Sequence, residues 1–172
     1  MKRYLYKFKH EYLKLHENNA YKRPKIEKLG FKPIMEGEEG NLYWAEGWAK
    51  SITISHNSSI GDWLKKNVES IYKAEMKKIA DKKFDSKWLE EIKKSGYEFD
   101  SDGNMIDNEK SKEDIPAQLC VMFTGSLHGT LFINVGNGLE FYESTTLDEC
   151  AKDEVAALLE AGAIYKKKYV GK

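Results

Sequence analysis

At 172 residues and 41% hydrophobic content, the chain is long enough for one domain with a sizeable core and too apolar for a disordered one. Its 28 Lys/Arg balance 28 Asp/Glu, so no bulk charge points to nucleic acid or an anionic surface. No apolar run approaches the roughly 18 residues a membrane helix needs, and two cysteines without a Cys-x-x-Cys exclude a disulfide framework and argue against a zinc site.

The balanced total hides an uneven distribution. Residues 1–33 hold ten Lys/Arg against three Glu, residues 97–115 seven acids against two Lys, and residues 139–161 seven acids against one Lys. Only Arg3 and Arg23 are arginines among the 28 basic residues, which weakens any reading built on bidentate phosphate or base recognition. The start, Met1 to Lys7, is charged and aromatic, without the apolar stretch of a secretion signal. A cytoplasmic protein is expected.

In chain order, residues 4–15 fit both a strand and a helix; the aromatics Tyr4, Tyr6, Phe8 and Tyr12 favour a strand. Pro24 to Leu29 predicts a short helix closed by Gly30, and Phe31 to Met35 an extended piece. Gly37 to Asn41 reads as a hairpin loop. Ser51 to His56 predicts a strand, with Ile52, Ile54 and His56 on one face. A long amphipathic helix follows to about Lys82. Its apolar stripe runs through Ile60, Trp63, Leu64, Val68, Ile71, Tyr72, Met76 and Ile79, and Ser59 with Asp62 suggests its cap. The stripe is expected to lie on a sheet, with Trp63 in the core.

Asp85-Ser86 predicts the cap of a second helix bearing Trp88, Leu89 and Ile92 and ending at Gly96. Tyr97 to Ile106 predicts a hairpin turning at Asp102-Gly103-Asn104. Residues 107–114 read as a mobile acidic loop. Strands around Leu119–Phe123, Thr130–Val135 and Leu139–Glu143 predict an antiparallel meander. Thr146-Leu147-Asp148-Glu149 reads as a capping box opening a helix to Gly162, and residues 166–172 as a solvated basic tail. The expected architecture is a single α+β domain over 1–172. It carries an antiparallel sheet of about five to seven strands with two or three helices packed on one face.

Two elements, His56-Asn57-Ser58 and His128-Gly129-Thr130, share the form His-x-Ser/Thr. The pair resembles the signature of 2H phosphoesterases. That resemblance implies a metal-independent phosphodiesterase in which His56 and His128 act as base and acid while Ser58 and Thr130 hold phosphate oxygens. Backbone-bonded histidines at strand ends explain the same residues. Asp100 to Asn104 lacks the spacing of a calcium loop and reads as a turn. No phosphate-binding glycine loop and no Gly-x-Ser-x-Gly elbow occurs, so no cofactor and no metal is expected.

Tyr43, Trp44 and Trp48 form an aromatic group suited to stacking or to a protein contact, with core packing as the competing explanation. Together with the carboxylates Glu140, Glu143, Asp148 and Asp153 they are the candidate binding residues. The leading expectation is a small non-enzymatic protein-binding module, an inhibitor, immunity or accessory protein that docks a basic partner surface through acidic faces. The phosphodiesterase is the alternative. Nucleic-acid binding through the basic N-terminal third is a further one, disfavoured by zero net charge and scarce arginine.

Overall fold

The computed structural model describes residues 3–13, 25–35, 45–82, 87–124, 128–136 and 138–169. The chain is a mixed α+β protein, and among the described residues it is built on a seven-stranded sheet. Its contacts divide into two compact units, Met1–Thr53 with Pro116–Lys172, and Ile54–Ile115.

The first unit carries the sheet. Strands β1 (Tyr4–Phe8), β2 (Lys32–Met35), β3 (Ala45–Ile54), β6 (Ile115–Thr124), β7 (His128–Gly136) and β9 (Ile164–Lys168) lie in the order β2-β3-β6-β7-β1-β9. β8 (Leu139–Phe141) also pairs with β7. The strand predicted over residues 4–15 stops at Phe8, and a short helix α1 (His10–Leu13) follows. Within the expected basic tail, Lys166–Lys168 belong to edge strand β9, paired antiparallel along β1 from Tyr4↔Lys168 to Phe8↔Ile164, while residues 170–172 lie outside the described residues. Lysines on an exposed edge deter pairing with another chain, which gives the Lys166-Lys167-Lys168 run a place in the sheet.

Antiparallel pairing and period-two alternation sort the side chains. On β7, Leu131 and Ile133 are fully buried, opposite Val121 and Leu119. Tyr6 and Phe8 are buried on β1, and the Phe8 ring meets Phe31 edge-on at 5.5 Å. Helices α4 (Ser144–Cys150) and α5 (Lys152–Glu160) bury Leu147, Ala151, Val155 and Leu158; α4 packs on β1 and α5 on β9. The single helix predicted from Thr146 therefore begins at Ser144, without a side-chain cap, and breaks at Ala151. Gly162, at φ +71°, ends it as expected. In β3, Ile52 and Ile54 are buried as their alternation requires.

The second unit is built on α2 (Ser59–Ala80), with α3 (Lys87–Lys94) and the hairpin of β4 (Glu98–Phe99) and β5 (Met105–Ile106). Ser58 rather than Ser59 is the cap of α2, its hydroxyl accepting from the Gly61 N–H at 3.0 Å. Tyr72 stacks on Phe99 with centroids 3.8 Å apart, and Glu69 Oε2 accepts from the Met105 N–H at 2.9 Å. Residues 107–114 contain a 3-10 turn at Lys110–Lys112, in which Ser111 is buried and bonded to Asn108.

The apolar stripe of α2 is only partly covered. Ile60, Gly61 and Glu75 are buried, whereas Trp63, placed in the core by its helical spacing, is 44% exposed, and Met76 and Ile79 are similarly open. Within its own unit the 22-residue helix meets an eight-residue helix and two two-residue strands, which offer too little surface to cover so long a stripe.

Candidate functional site

β7 pairs with β1 through Thr130 and Gly129, and with β8 from Ile133 to Gly136. The sheet forks there: β1 and β8 pair with the same side of β7 at its two ends, and Leu5 of β1 bridges Glu143, two residues past the end of β8. An open groove of about 610 Å³ lies at the fork. Leu5 lines it from β1 and Arg3 from just before that strand, Thr130 from β7, Glu140 from β8, and Tyr142, Glu143 and Tyr169 from the segments that follow β8 and β9. Tyr142 and Tyr169 are each more than a third exposed.

Local rules place these side chains. Along Glu140-Phe141-Tyr142 the period of two sends Glu140 and Tyr142 to the same side, and the Tyr142 hydroxyl donates to Glu140 Oε2. The Tyr142 ring stacks on buried Phe132, centroids 5.0 Å apart. Burial, then the bond to Glu140, pushes the Tyr142 hydroxyl up to about 12. Burial and the same carboxylate push the neighbouring Cys120 thiol up to about 11, so it is an unreactive neutral thiol at pH 7. Arg3 Nη1 lies 3.5 Å from Glu143 Oε1 in an exposed pair, a weak contact that a stronger ligand would displace.

Thr130, Glu140 and Glu143 are therefore brought together out of the residues the sequence singles out. Asp148 stands apart, accepting from the Tyr6 hydroxyl at 2.6 Å and lying 4.0 Å from Lys166. Asp153 is exposed in the first turn of α5. Trp48 is only 3% exposed, opposite Pro33 in the β2–β3 ladder, so its ring is core and offers no surface for stacking. Tyr43 and Trp44 lie outside the described residues.

The two histidine elements belong to different units. His56 lies in the turn before α2, with Nδ1 3.5 Å from Asp114 Oδ1, and Ser58 caps the helix while donating to the Ser55 carbonyl at 2.7 Å. His128 opens β7, and the Thr130 hydroxyl accepts from Lys7 Nζ. Both hydroxyls thus have protein partners. Among the described residues no group of three or more His, Cys, Asp or Glu could hold a metal ion, and no helix is long and apolar enough to cross a membrane.

Sequence reasoning missed Arg3, Tyr142 and Tyr169. The alternation that marks Glu140 also marks Tyr142, so that signal was present. Arg3 and Tyr169 join the groove only through the β1–β9 pairing, where the Tyr169 N–H donates to the Arg3 carbonyl at 2.7 Å. No protein family, curated protein or solved structure matches the chain.

Proposed function

We propose that the chain is a non-enzymatic protein-binding module of the inhibitor, immunity or accessory type, working in the cytoplasm, and that the groove at the sheet fork receives a basic side chain of its partner. The observation that carries this reading is the convergence of Glu140 and Glu143 with the half-exposed rings of Tyr142 and Tyr169 on one open groove. Two carboxylates against one arginine leave the groove acidic by one formal charge. Tyrosine rings beside carboxylates suit a guanidinium or ammonium group, by charge and by contact with the ring face. Exposed tyrosines add area at little entropic cost, as at interface hot spots.

The phosphodiesterase alternative would use His56, Ser58, His128 and Thr130. It has less support, because the Ser58 hydroxyl caps α2 and the Thr130 hydroxyl is bonded to Lys7. A titration of the isotope-labelled chain with a short arginine-bearing peptide and its glutamate-bearing counterpart tests the docking reading. The arginine peptide is expected to shift the amides of Tyr142, Glu143, Thr146 and Tyr169 saturably, and to do so less at high salt. Equal response to both peptides, or none, rules the reading out.

A further inference from the structure

The β1–β9 pair carries a second charged feature, which adjoins the acidic groove and shares Leu5 and Thr130 with its lining. By the register Lys7↔Tyr165 and Leu5↔Lys167, the side chains of Leu5, Lys7, Tyr165 and Lys167 share one face of the sheet, with Lys7 and Lys167 as diagonal neighbours. Thr130 lies opposite Lys7 on the other flank, and Lys7 Nζ donates to its hydroxyl. Two nearby cations have partners, while Lys168 of β9 alternates to the opposite face. Arg3 is paired with Glu143, and Lys166 lies near Asp148 and over the rings of Tyr4 and Tyr6.

Lys7 and Lys167 differ. Among the described residues no carboxylate stands within ion-pair distance of either. Partial burial, and then the charge of Lys167, hold the Lys7 ammonium below its ordinary range. Two like charges close together on one sheet face destabilise it unless a counter-charge answers them. Tyr165, directly opposite Lys7, is 44% exposed and presents a ring beside the pair.

We propose that Lys7 and Lys167, with the Thr130 hydroxyl, form a site for a phosphate group, either free or as the monoester of a ligand whose separate planar ring stacks on Tyr165. A phosphate oxygen would take the remaining N–H donors of Lys7 together with those of Lys167, and the like-charge repulsion would become attraction to a common anion.

The test is a titration of the full chain with inorganic phosphate, adenosine monophosphate and adenosine at constant ionic strength, followed by amide shifts. Both phosphate probes are expected to bind saturably and to shift Lys7, Thr130 and Lys167; adenosine alone does not. Lys167→Met, on an exposed edge and with the amide spectrum otherwise unchanged, weakens both by about tenfold, and Lys7→Met does the same. If the nucleotide binds more tightly and Tyr165→Leu removes only that advantage, the monoester is the source. Equal affinity identifies free phosphate. Absence of saturable binding below about 10 mM, or an affinity unchanged in Lys167→Met, overturns the proposal.

Discussion

The Tyr6 hydroxyl donates a 2.6 Å hydrogen bond to Asp148 Oδ1, joining β1 to α4 across 142 positions of the chain. Burial, and then this carboxylate, push the Tyr6 hydroxyl up to about 12. Removing the phenol oxygen in Tyr6→Phe is expected to cost about 1.5–3 kcal/mol by urea denaturation, the usual range for a hydrogen bond to a charged acceptor.

The same pair gives an alkaline signature. Tyr6 binds its proton more tightly folded than unfolded, so its contribution is fully present below the ordinary tyrosine value near 10. It is lost progressively as pH rises from there towards about 12. Wild-type stability should fall across that window, and the fall should be shallower in Tyr6→Phe. Identical slopes would show that Tyr6 is not shifted.

Ser58 is expected to act as a cap. Ser58→Ala should destabilise the chain by about 1 kcal/mol, while Ser58→Asp, which keeps an acceptor at the N-cap, should stay close to wild type. Equal losses in both would mean that the 3.0 Å bond to the Gly61 N–H does not hold the helix start.

Gly61 tests a contest between propensity and space. Alanine in place of glycine inside a helix gains up to about 1 kcal/mol. A Cβ there would stand 2.7 Å from the backbone carbonyl oxygens of Ser55 and His56, which cannot swing away. Overpacking of about 1–3 kcal/mol outweighs the gain. Gly61→Ala is therefore expected to lower the urea midpoint, and a raised midpoint would contradict the tight approach.

Much of the fold was legible where the signal is local. The α2 span followed from its apolar spacing, the hairpin around Gly103 from its turn residues, and the strands around Gln118–Asn134 from period-two alternation. Failures arose where tertiary pairing decides. Lys166, Lys167 and Lys168 carry no strand signal of their own, and β1 recruits them. Nothing in Ala151, a strong helix former, announces the break between α4 and α5. Trp63 has the helical spacing of the apolar stripe, yet it is 44% exposed, because spacing alone does not say how far along a helix the covering elements reach. The groove was half visible: Glu140, Glu143 and Thr130 stood out as charges and as a motif, whereas the fork that unites them depends on two strands sharing one side of β7.

The most direct measurement of the docking account is the affinity of the arginine-bearing peptide for the wild-type chain and for the Glu140→Gln/Glu143→Gln double variant, at low and at high salt. The double substitution removes both groove carboxylates and leaves Arg3 without its partner. The dissociation constant is expected to rise by about tenfold or more, with the salt dependence largely lost. An unchanged or tighter affinity would contradict a groove that receives a basic side chain.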